Sequence, residues 1–260
     1  MLTTTQNIFQ AKDLLLQWTV RNIRARYQQS ALGWFWAVIQ PAAQALIFTV
    51  VFTLIVPIDT GDVPYVLFAY VAIVPWTLLA MSLPDMSNSL VENMSLVTKI
   101  YFPREVLPIA AMLARLMDFG VAAILIAILM IIFKAPVFPL GWLFLPVVLG
   151  IQMLLIVGLG LALSALNVFY RDVRSLLVLG LQVWFYASPI IYPISLVPDW
   201  LLPYYYLNPM AGIITAYRDI LLYQRLPGSY LAVAGVLSLA IFIFGYWFFK
   251  RVEFQFADIV

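Results

Sequence analysis

The stretch Arg24-Ala-Arg-Tyr-Gln-Gln-Ser-Ala-Leu-Gly-Trp-Phe-Trp36, which continues to Gln40-Pro41, decides how this chain must fold. Two arginines are followed within ten residues by an aromatic cluster, and residues 42–56 contain no charged residue. Arginine favours the cytosolic side of a bilayer, and tryptophan favours its interface. The stretch therefore predicts, in this order, a cytosolic segment, a membrane interface and the beginning of a transmembrane helix.

The composition of the whole chain is typical of a membrane protein. Of its 260 residues, 65% are hydrophobic and only 10% are charged, whereas a soluble domain usually has about 25% charged residues. The sequence contains no Cys and no His, which excludes disulfides and metal sites built from thiolate or imidazole. The net charge of +2 and the lack of a basic run give no indication of nucleic-acid binding.

Six segments are apolar and long enough to cross a bilayer, which takes about 20 residues. They predict an all-α membrane protein with six transmembrane helices at 34–56, 65–83, 106–133, 142–169, 175–197 and 230–249. Lys and Arg accumulate in cytosolic loops. If the N-terminus is cytosolic, ten basic residues lie inside and three lie outside, namely Lys134, Arg218 and Arg225. Both termini are therefore expected in the cytosol.

Residues 1–32 are predicted to contain an amphipathic helix that lies on the cytosolic membrane surface. Apolar residues recur there at spacings of three and four, at Leu16, Val20, Ile23 and Tyr27. Arginines follow the same rhythm on a neighbouring face, where they would approach lipid phosphates. The alternative is an ordinary juxtamembrane anchor, and the pattern alone does not separate the two.

The cytosolic segment 84–105 is predicted to carry a docking element. A short amphipathic helix at about 88–101, ended by Pro103, would present a mixed apolar and charged face to a cytosolic partner. A solvated linker is the alternative. In the following span, Arg115 and Asp118 lie three residues apart, which favours an ion pair within one helix. A functional charge at membrane depth is the alternative for that pair.

The outside segment 187–229 alternates prolines and aromatics with a helical pattern and is too apolar for a free loop. We interpret it as a re-entrant hairpin between the fifth and sixth spans. Irregular backbone at membrane depth is tolerated only where it is buried in protein or lines a water-filled cavity. The segment is therefore a structural indication of a translocation path.

Aromatic residues are abundant, and most are explained by interfacial belts or by packing. Some of them could instead line a path for sugars, because aromatic faces stack on sugar rings. Besides Trp34 and Trp36, the candidates are Phe35, Tyr70, Trp76, Trp184, Phe185 and Tyr186.

Several motifs are missing from the sequence. It has no Gly-x-x-x-x-Gly-Lys-[Ser/Thr] phosphate loop and no clustered acidic motif that would hold Mg²⁺ on a diphosphate. Few ionisable residues lie within the spans, which argues against an ion-coupled carrier. The sequence thus indicates a membrane path with no energy source or cofactor of its own, and not an enzyme.

Four short motifs occur in order along the chain. The first comprises Arg26-Tyr27, Ser30, Leu32-Gly33, Trp36 and Pro41, and the second Asn167 with Arg171-Asp172. The third is Ser188-Pro189-Ile-Ile-Tyr192, and the fourth is Leu207-Asn208-Pro209. Together they resemble the membrane subunit of polysaccharide and polyol-phosphate ABC exporters, over essentially the whole chain.

The resemblance implies that residues 1–260 form a single permease domain, which acts as a homodimer in the plasma (inner) membrane. Two copies of a separate ATPase subunit would hold ATP and Mg²⁺. The cargo would be a lipid-linked glycan of the O-antigen or teichoic-acid type. By analogy, the substrate entrance comprises Arg24, Arg26, Tyr27, Trp34 and Trp36.

By the same analogy, segment 84–105 is the coupling element, with Glu92, Lys99, Tyr101, Arg104 and Glu105 as contacts to the ATPase. Segment 198–229 is the outer gate region, with gate residues Tyr192, Trp200, Tyr204, Asn208 and Tyr217. Two alternative functions are an ABC permease for a drug or small lipid and an integral-membrane transferase on lipid-linked substrates. The transferase would depend on the carboxylates of Asp85, Glu92 and Glu105.

Overall fold

A computed structural model describes residues 12–28, 30–100 and 102–257, and within those ranges the regular structure is entirely helical. The α-helices are α1 (Lys12–Tyr27), α2 (Trp36–Val50), α3 (Tyr65–Glu92), α4 (Met94–Lys99), α5 (Val106–Ile132), α6 (Pro139–Trp142), α7 (Leu145–Phe169), α8 (Val173–Tyr186), α9 (Leu202–Tyr205), α10 (Pro209–Leu221) and α11 (Ser229–Val252). Short 3₁₀ turns lie at Gly33–Phe35, just before α2, and at Ile194–Leu196 and Glu253–Ala257. A π-helical turn, Val51–Ile55, continues α2. The predicted all-α fold is confirmed.

Five of the described helical segments are long and apolar enough to cross a membrane, namely Gly33–Ile55, Tyr65–Glu92, Val106–Ile132, Pro139–Phe169 and Ser229–Phe256. They match five of the six predicted spans. The predicted helix at 175–197 is wrong in its bounds, because α8 has only 14 residues. At 1.5 Å per residue it is about 21 Å long, which is shorter than a hydrocarbon core of about 30 Å. Six complete spans are therefore not confirmed.

Helix α8 ends early because its continuation runs into Ser188-Pro189. Proline lacks an amide N–H and disfavours helical backbone in the residue before it. The backbone carbonyls freed beyond α8 are bound by side chains from further along the chain. Asn208 Nδ2 donates to the Ala187 carbonyl at 3.2 Å, and the Arg218 guanidinium donates to the carbonyls of Pro189 and Ile190. An apolar run is thus interrupted without leaving these carbonyls unpaired.

Helix α3 lies at the centre of the bundle. In its most apolar stretch of 18 residues, 78% of the residues are buried, against 11–33% in the corresponding stretches of the other four segments. It continues to Glu92, so the predicted span 65–83 is too short. The helix predicted at about 88–101 is in fact the end of α3 followed by the separate α4. The side chain of Asn167 in α7 holds the part of α3 beyond residue 83, since its Nδ2 donates to the Ser87 carbonyl at 2.9 Å.

Within the N-terminal segment the structure describes helix α1, of which no residue is fully buried. Leu16 and Val20 on its apolar stripe are 52% and 43% exposed. One end of the bundle, which we call the α1 end, is formed by helix α1, the end of α3, α4 and the turn Glu253–Ala257. At the opposite end, the Tyr65 hydroxyl donates to the Ile191 carbonyl at 2.6 Å.

Helices α7 and α11 approach each other closely at Gly158 and Gly245. A Cβ atom built on Gly158 would lie 2.6 Å from Phe242 Cα, and one built on Gly245 would overlap the Gly158 carbonyl. Small residues allow such backbone contact between helices in a bilayer.

Replacement of Gly245 by alanine is expected to destabilise the bundle by about 1–3 kcal/mol, because the added methyl group separates two packed backbones. The measurement is the thermal unfolding transition of the purified protein in detergent. Gly150→Ala in α7 is the matched control, since a Cβ atom there meets nothing within 4 Å. Equal transition temperatures for the two variants would contradict the proposed contact.

Candidate functional site

Four charged side chains from three helices form one ion network at the α1 end. We call Arg26, Asp85, Arg115 and Asp118 the Arg–Asp quartet. Arg26 Nη1 lies 2.6 Å from Asp118 Oδ2, and its Nη2 lies 2.9 Å from Asp85 Oδ2. Arg115 Nε lies 2.7 Å from Asp85 Oδ2, and its Nη1 lies 3.3 Å from Asp118 Oδ2. Each carboxylate therefore joins both guanidinium groups, and the formal charges cancel.

The predicted pair between Arg115 and Asp118 is present, but it is the longest contact of the quartet. The shorter contacts involve Arg26 from α1 and Asp85 from α3. Sequence analysis did not predict that these two residues bind the pair. The signal available was Asp85, an acidic residue close to the end of an apolar span. Charges at such depth usually face a partner. Arg26, which was predicted to approach lipid phosphates, binds carboxylates of its own chain instead.

Tyr27 extends the quartet toward the aromatic cluster Trp34-Phe35-Trp36. Its hydroxyl donates to Asp118 Oδ1 at 2.6 Å. Burial, together with the hydrogen bond and charge of Asp118, raises the pKa of Tyr27 to about 12. Tyr27 therefore stays protonated at neutral pH and acts as a donor. Its ring centroid lies 6.4 Å from that of Trp34.

A cavity of about 300 Å³ opens beside the quartet, between α1, α2, α3 and α5. Three of the five predicted entrance residues line it, namely Arg26, Tyr27 and Trp36, together with Gln40 and Thr77 among others. Arg24 and Trp34 are exposed nearby and are not among the lining residues. The lining combines aromatic side chains with hydrogen-bonding groups, which is chemistry that accommodates a polar ring.

The predicted coupling residues divide into two groups in the structure. Glu92 and Lys99 are exposed at the α1 end. Glu105 is fully buried, and it accepts a hydrogen bond from Lys250 Nζ at 2.9 Å. Arg104 is half-buried and donates to the Glu253 backbone carbonyl. Tyr101 lies outside the described residues. Glu105 therefore does not lie on the surface that sequence analysis assigned to it.

The six candidate channel aromatics occupy both buried and exposed positions. Tyr70, Trp76 and Phe185 are 1–7% exposed and belong to the hydrophobic core. Trp184 is half-buried, and its Nε1 donates to Asn208 Oδ1 at 2.8 Å. Phe35 and Tyr186 are exposed, by 71% and 58%.

The predicted outer gate residues are also split between packing and exposed positions. Trp200 and Tyr204 are 72% and 68% exposed. The hydroxyls of Tyr192 and Tyr205 lie 2.7 Å apart. Tyr217 is buried, and its hydroxyl donates to Gln152 Oε1 at 3.2 Å.

Both polar atoms of the Asn208 side chain form hydrogen bonds, and these bonds join the end of α8 to the start of α10. Its Oδ1 accepts from Trp184 Nε1 and from the Met210 amide, and its Nδ2 donates to the Ala187 carbonyl and to Ser188 Oγ. As the N-cap residue of α10, it also satisfies one of the free amides at the start of that helix.

Arg218 of α10 is a structural residue that sequence analysis missed. It was counted among the basic residues outside the membrane, but it is buried, with 4% of its surface exposed. Its Nη1 lies 2.5 Å from the Pro189 carbonyl, its Nη2 lies 2.6 Å from the Ile190 carbonyl, and both Nε and Nη2 reach the Phe68 carbonyl at 3.3 Å. The guanidinium carbon also lies 3.4 Å from the centroid of the Phe68 ring.

This chain is similar to known proteins over most of their length. O-antigen export system permease protein RfbA of Klebsiella pneumoniae is 27% identical over 253 residues, which cover 95% of both chains. A protein of the same name from Myxococcus xanthus is 29% identical over 235 residues, or 88% of both chains. Polysialic acid transport protein KpsM of Escherichia coli is 24% identical over 204 residues, which cover 77% of this chain and 78% of its own length.

A family model described as ABC-2 type transporter matches residues 14–222. The matched range contains the Arg–Asp quartet, the cavity, α4 and α10. With several apolar helices long enough to cross a membrane, the chain is a multi-pass membrane permease. It belongs to the ABC-2 type transporter family.

Proposed function

We propose that this chain is the transmembrane subunit of an ATP-driven exporter of lipid-linked polysaccharide, of the O-antigen or teichoic-acid-like type. It moves the polymer from the cytosolic to the outer face of the plasma membrane. The observation that carries the proposal is the similarity, over most of both chains, to relatives named for export or transport of two different polysaccharides. The substrate class common to those names is a glycan chain.

The α1 end is the cytosolic side in this proposal, and the cavity beside the quartet is the entrance. Trp36 supplies an aromatic face, while Tyr27 and Gln40 supply hydrogen-bonding groups. The rings of Trp34 and Phe35 are exposed, and in this proposal they lie at the level of the membrane interface. This arrangement supports the entry of a substrate that has both a sugar part and a lipid part.

The energy comes from a separate ATPase subunit, because this sequence has no phosphate loop. We assign the contact surface to the exposed face of α4 and the end of α3, where Glu92 and Lys99 lie beside the exposed apolar side chains of Val91 and Ile100. Two permease copies and two ATPase copies form the complex, and ATP with Mg²⁺ binds to the ATPase.

The two alternative functions have less support. Of the three carboxylates that a transferase would need, Asp85 binds two arginines and Glu105 is buried against Lys250, which leaves only Glu92 exposed. Within the described ranges, no group of three or more acidic residues is arranged to hold a metal ion. A permease for a drug or small lipid would share the fold, but the relatives' names favour polysaccharide.

Deletion of the gene from its native host tests the proposal. We expect lipid-linked glycan to accumulate inside the cell and surface glycan to fall at least tenfold, with recovery when the wild-type gene is supplied. Both pools are measured by extraction and glycan analysis. Normal surface glycan in the deletion strain would refute the polysaccharide assignment.

The same deletion strain tests the entrance. Complementation with Trp36→Ala is expected to restore about two- to thirteenfold less surface glycan than wild type, since one aromatic stacking face contributes about 0.5–1.5 kcal/mol. Trp247→Ala in α11 is the matched control, because both tryptophans are 50% exposed and Trp247 is not among the residues that line the cavity. Equal export by the two variants would contradict the entrance assignment.

A further inference from the structure

We infer that the C-terminal turn Glu253–Ala257 positions α4 and connects it mechanically to α7 and α11. This inference rests on the proposed function, in which the exposed face of α4 contacts the ATPase subunit. The turn lies outside the residues 14–222 that the family model matches. The turn makes an apolar contact beneath α4, and polar contacts join the C-terminal segment to the residues that lead into α5.

The apolar contact is a small buried cluster at the α1 end. Val97, on the inner side of α4, is 2% exposed and belongs to the same cluster as Phe249 and Phe256. Phe256 is fully buried, and its ring centroid lies 5.8 Å from the rings of both Phe169 and Phe249. One side chain of the turn thus joins the ends of α7 and α11 in the layer on which α4 rests.

The polar contacts hold the two residues that lead from α4 into α5. Arg104 donates to the Glu253 carbonyl, and its guanidinium carbon lies 5.8 Å from the centroid of the Phe256 ring. Glu105 binds Lys250 at 2.9 Å, and Lys250 also binds Glu253 at 3.0 Å. Lys250 lies in the last turn of α11. The α5 side of the α4–α5 connection is therefore fixed to the last turn of α11 and to the turn Glu253–Ala257.

These contacts matter because α4 cannot hold its own position. A helix of six residues is far too short to be stable alone, and only Asn93 separates it from α3. A close-packed cluster transmits displacement, because it contains no free volume to absorb it. A push on Glu92 or Lys99 consequently reaches α11 and α7 through the turn, as well as α3 and α5 through the chain itself.

The test uses Phe256→Ala in the full permease, co-purified with its ATPase subunit and reconstituted in vesicles with lipid-linked glycan from the deletion strain. Three quantities are measured: ATPase subunits bound per permease, the rate of ATP hydrolysis, and glycan exported per ATP. We expect binding and hydrolysis to stay within about twofold of wild type, and glycan exported per ATP to fall at least fivefold. Phe256→Leu, which refills most of the cluster, should restore most of the coupling.

Phe254→Ala is the matched control, because Phe254 lies in the same turn and is 76% exposed. It is expected to behave as wild type. The inference is overturned if Phe256→Ala and Phe254→Ala export equal glycan per ATP. The mechanical connection is also overturned if Phe256→Ala loses its ATPase subunits, because the turn would then only maintain the docking surface.

If Phe256→Ala does not accumulate in the membrane, Glu105→Gln provides the same comparison, since it keeps the side-chain volume and removes the ion pair with Lys250. Unchanged export per ATP in that variant overturns the inference. A wild-type permease that binds no ATPase subunit contradicts the proposed function itself. A coupled wild type with an equally coupled Phe256→Ala contradicts only the role of the turn.

Discussion

Replacement of Asp118 by asparagine is expected to reduce surface glycan at least tenfold and to lower the thermal stability of the purified protein. Asp118 is the acceptor for Arg26, Arg115 and Tyr27. Its neutralisation leaves the quartet with one uncompensated positive charge inside the bundle. Loss of one partner from a fully buried ion pair costs about 3–5 kcal/mol. These side chains are 15–30% exposed, so we expect about 1–3 kcal/mol here.

A second substitution distinguishes charge balance from simple loss of a contact. In Asp118→Asn combined with Arg115→Met, Arg26 and Asp85 remain as a neutral pair at 2.9 Å. The double variant is therefore expected to be more stable than the sum of the two single effects by about 0.5–3 kcal/mol. Thermal unfolding of the three variants measures this coupling. Asp62→Asn, in the exposed loop before α3, is the control for loss of a carboxylate. Strictly additive effects would disprove the coupling.

Replacement of Arg218 by methionine is expected to prevent accumulation of folded protein. The side chain satisfies the carbonyls of Pro189, Ile190 and Phe68, and each buried carbonyl left without a donor costs about 1–3 kcal/mol. The summed loss approaches the whole stability of an ordinary domain, which is about 5–15 kcal/mol. The measurement is the amount of monodisperse protein recovered from membranes in detergent.

Arg218→Lys and Arg225→Met are the comparison variants. Lysine retains the charge but lacks the planar fork that reaches several carbonyls together, so partial recovery is expected. Arg225 is exposed in the loop after α10, and its replacement should have little effect. Normal yield from Arg218→Met would show that α8 does not need the arginine to end where it does.

The apolar spans could be predicted from composition, but where they end could not. Hydropathy gives one continuous apolar run over 175–197, because it does not register which backbone groups are bound by distant side chains. The groups that allow α8 to stop at Tyr186 belong to Asn208 and Arg218, about 20 to 30 residues later in the chain. In the same way, α3 extends beyond its apolar part because Asn167 of α7 binds its backbone.

The candidate site shows the same division between local and long-range information. The pair Arg115–Asp118 could be predicted, because its spacing of three residues is a property of a single helix. The contacts of Arg26 with Asp85 and Asp118 span 59 and 92 residues of sequence, and no pattern in one sequence encodes them. Glu105 looked like a surface charge beside other charges, but its partner Lys250 lies 145 residues away.

The neutrality of the Arg–Asp quartet has a consequence for how voltage acts on this protein. A membrane potential of 100 mV does about 2.3 kcal/mol of work on each elementary charge that crosses it. The quartet combines two positive and two negative groups, so moving it as one body through the field involves no net electrical work. If α1 moves away with Arg26 alone, the balance is broken, and the field acts on the separated charges. The quartet can therefore move within an energised membrane without net electrical work, provided that its four side chains move together.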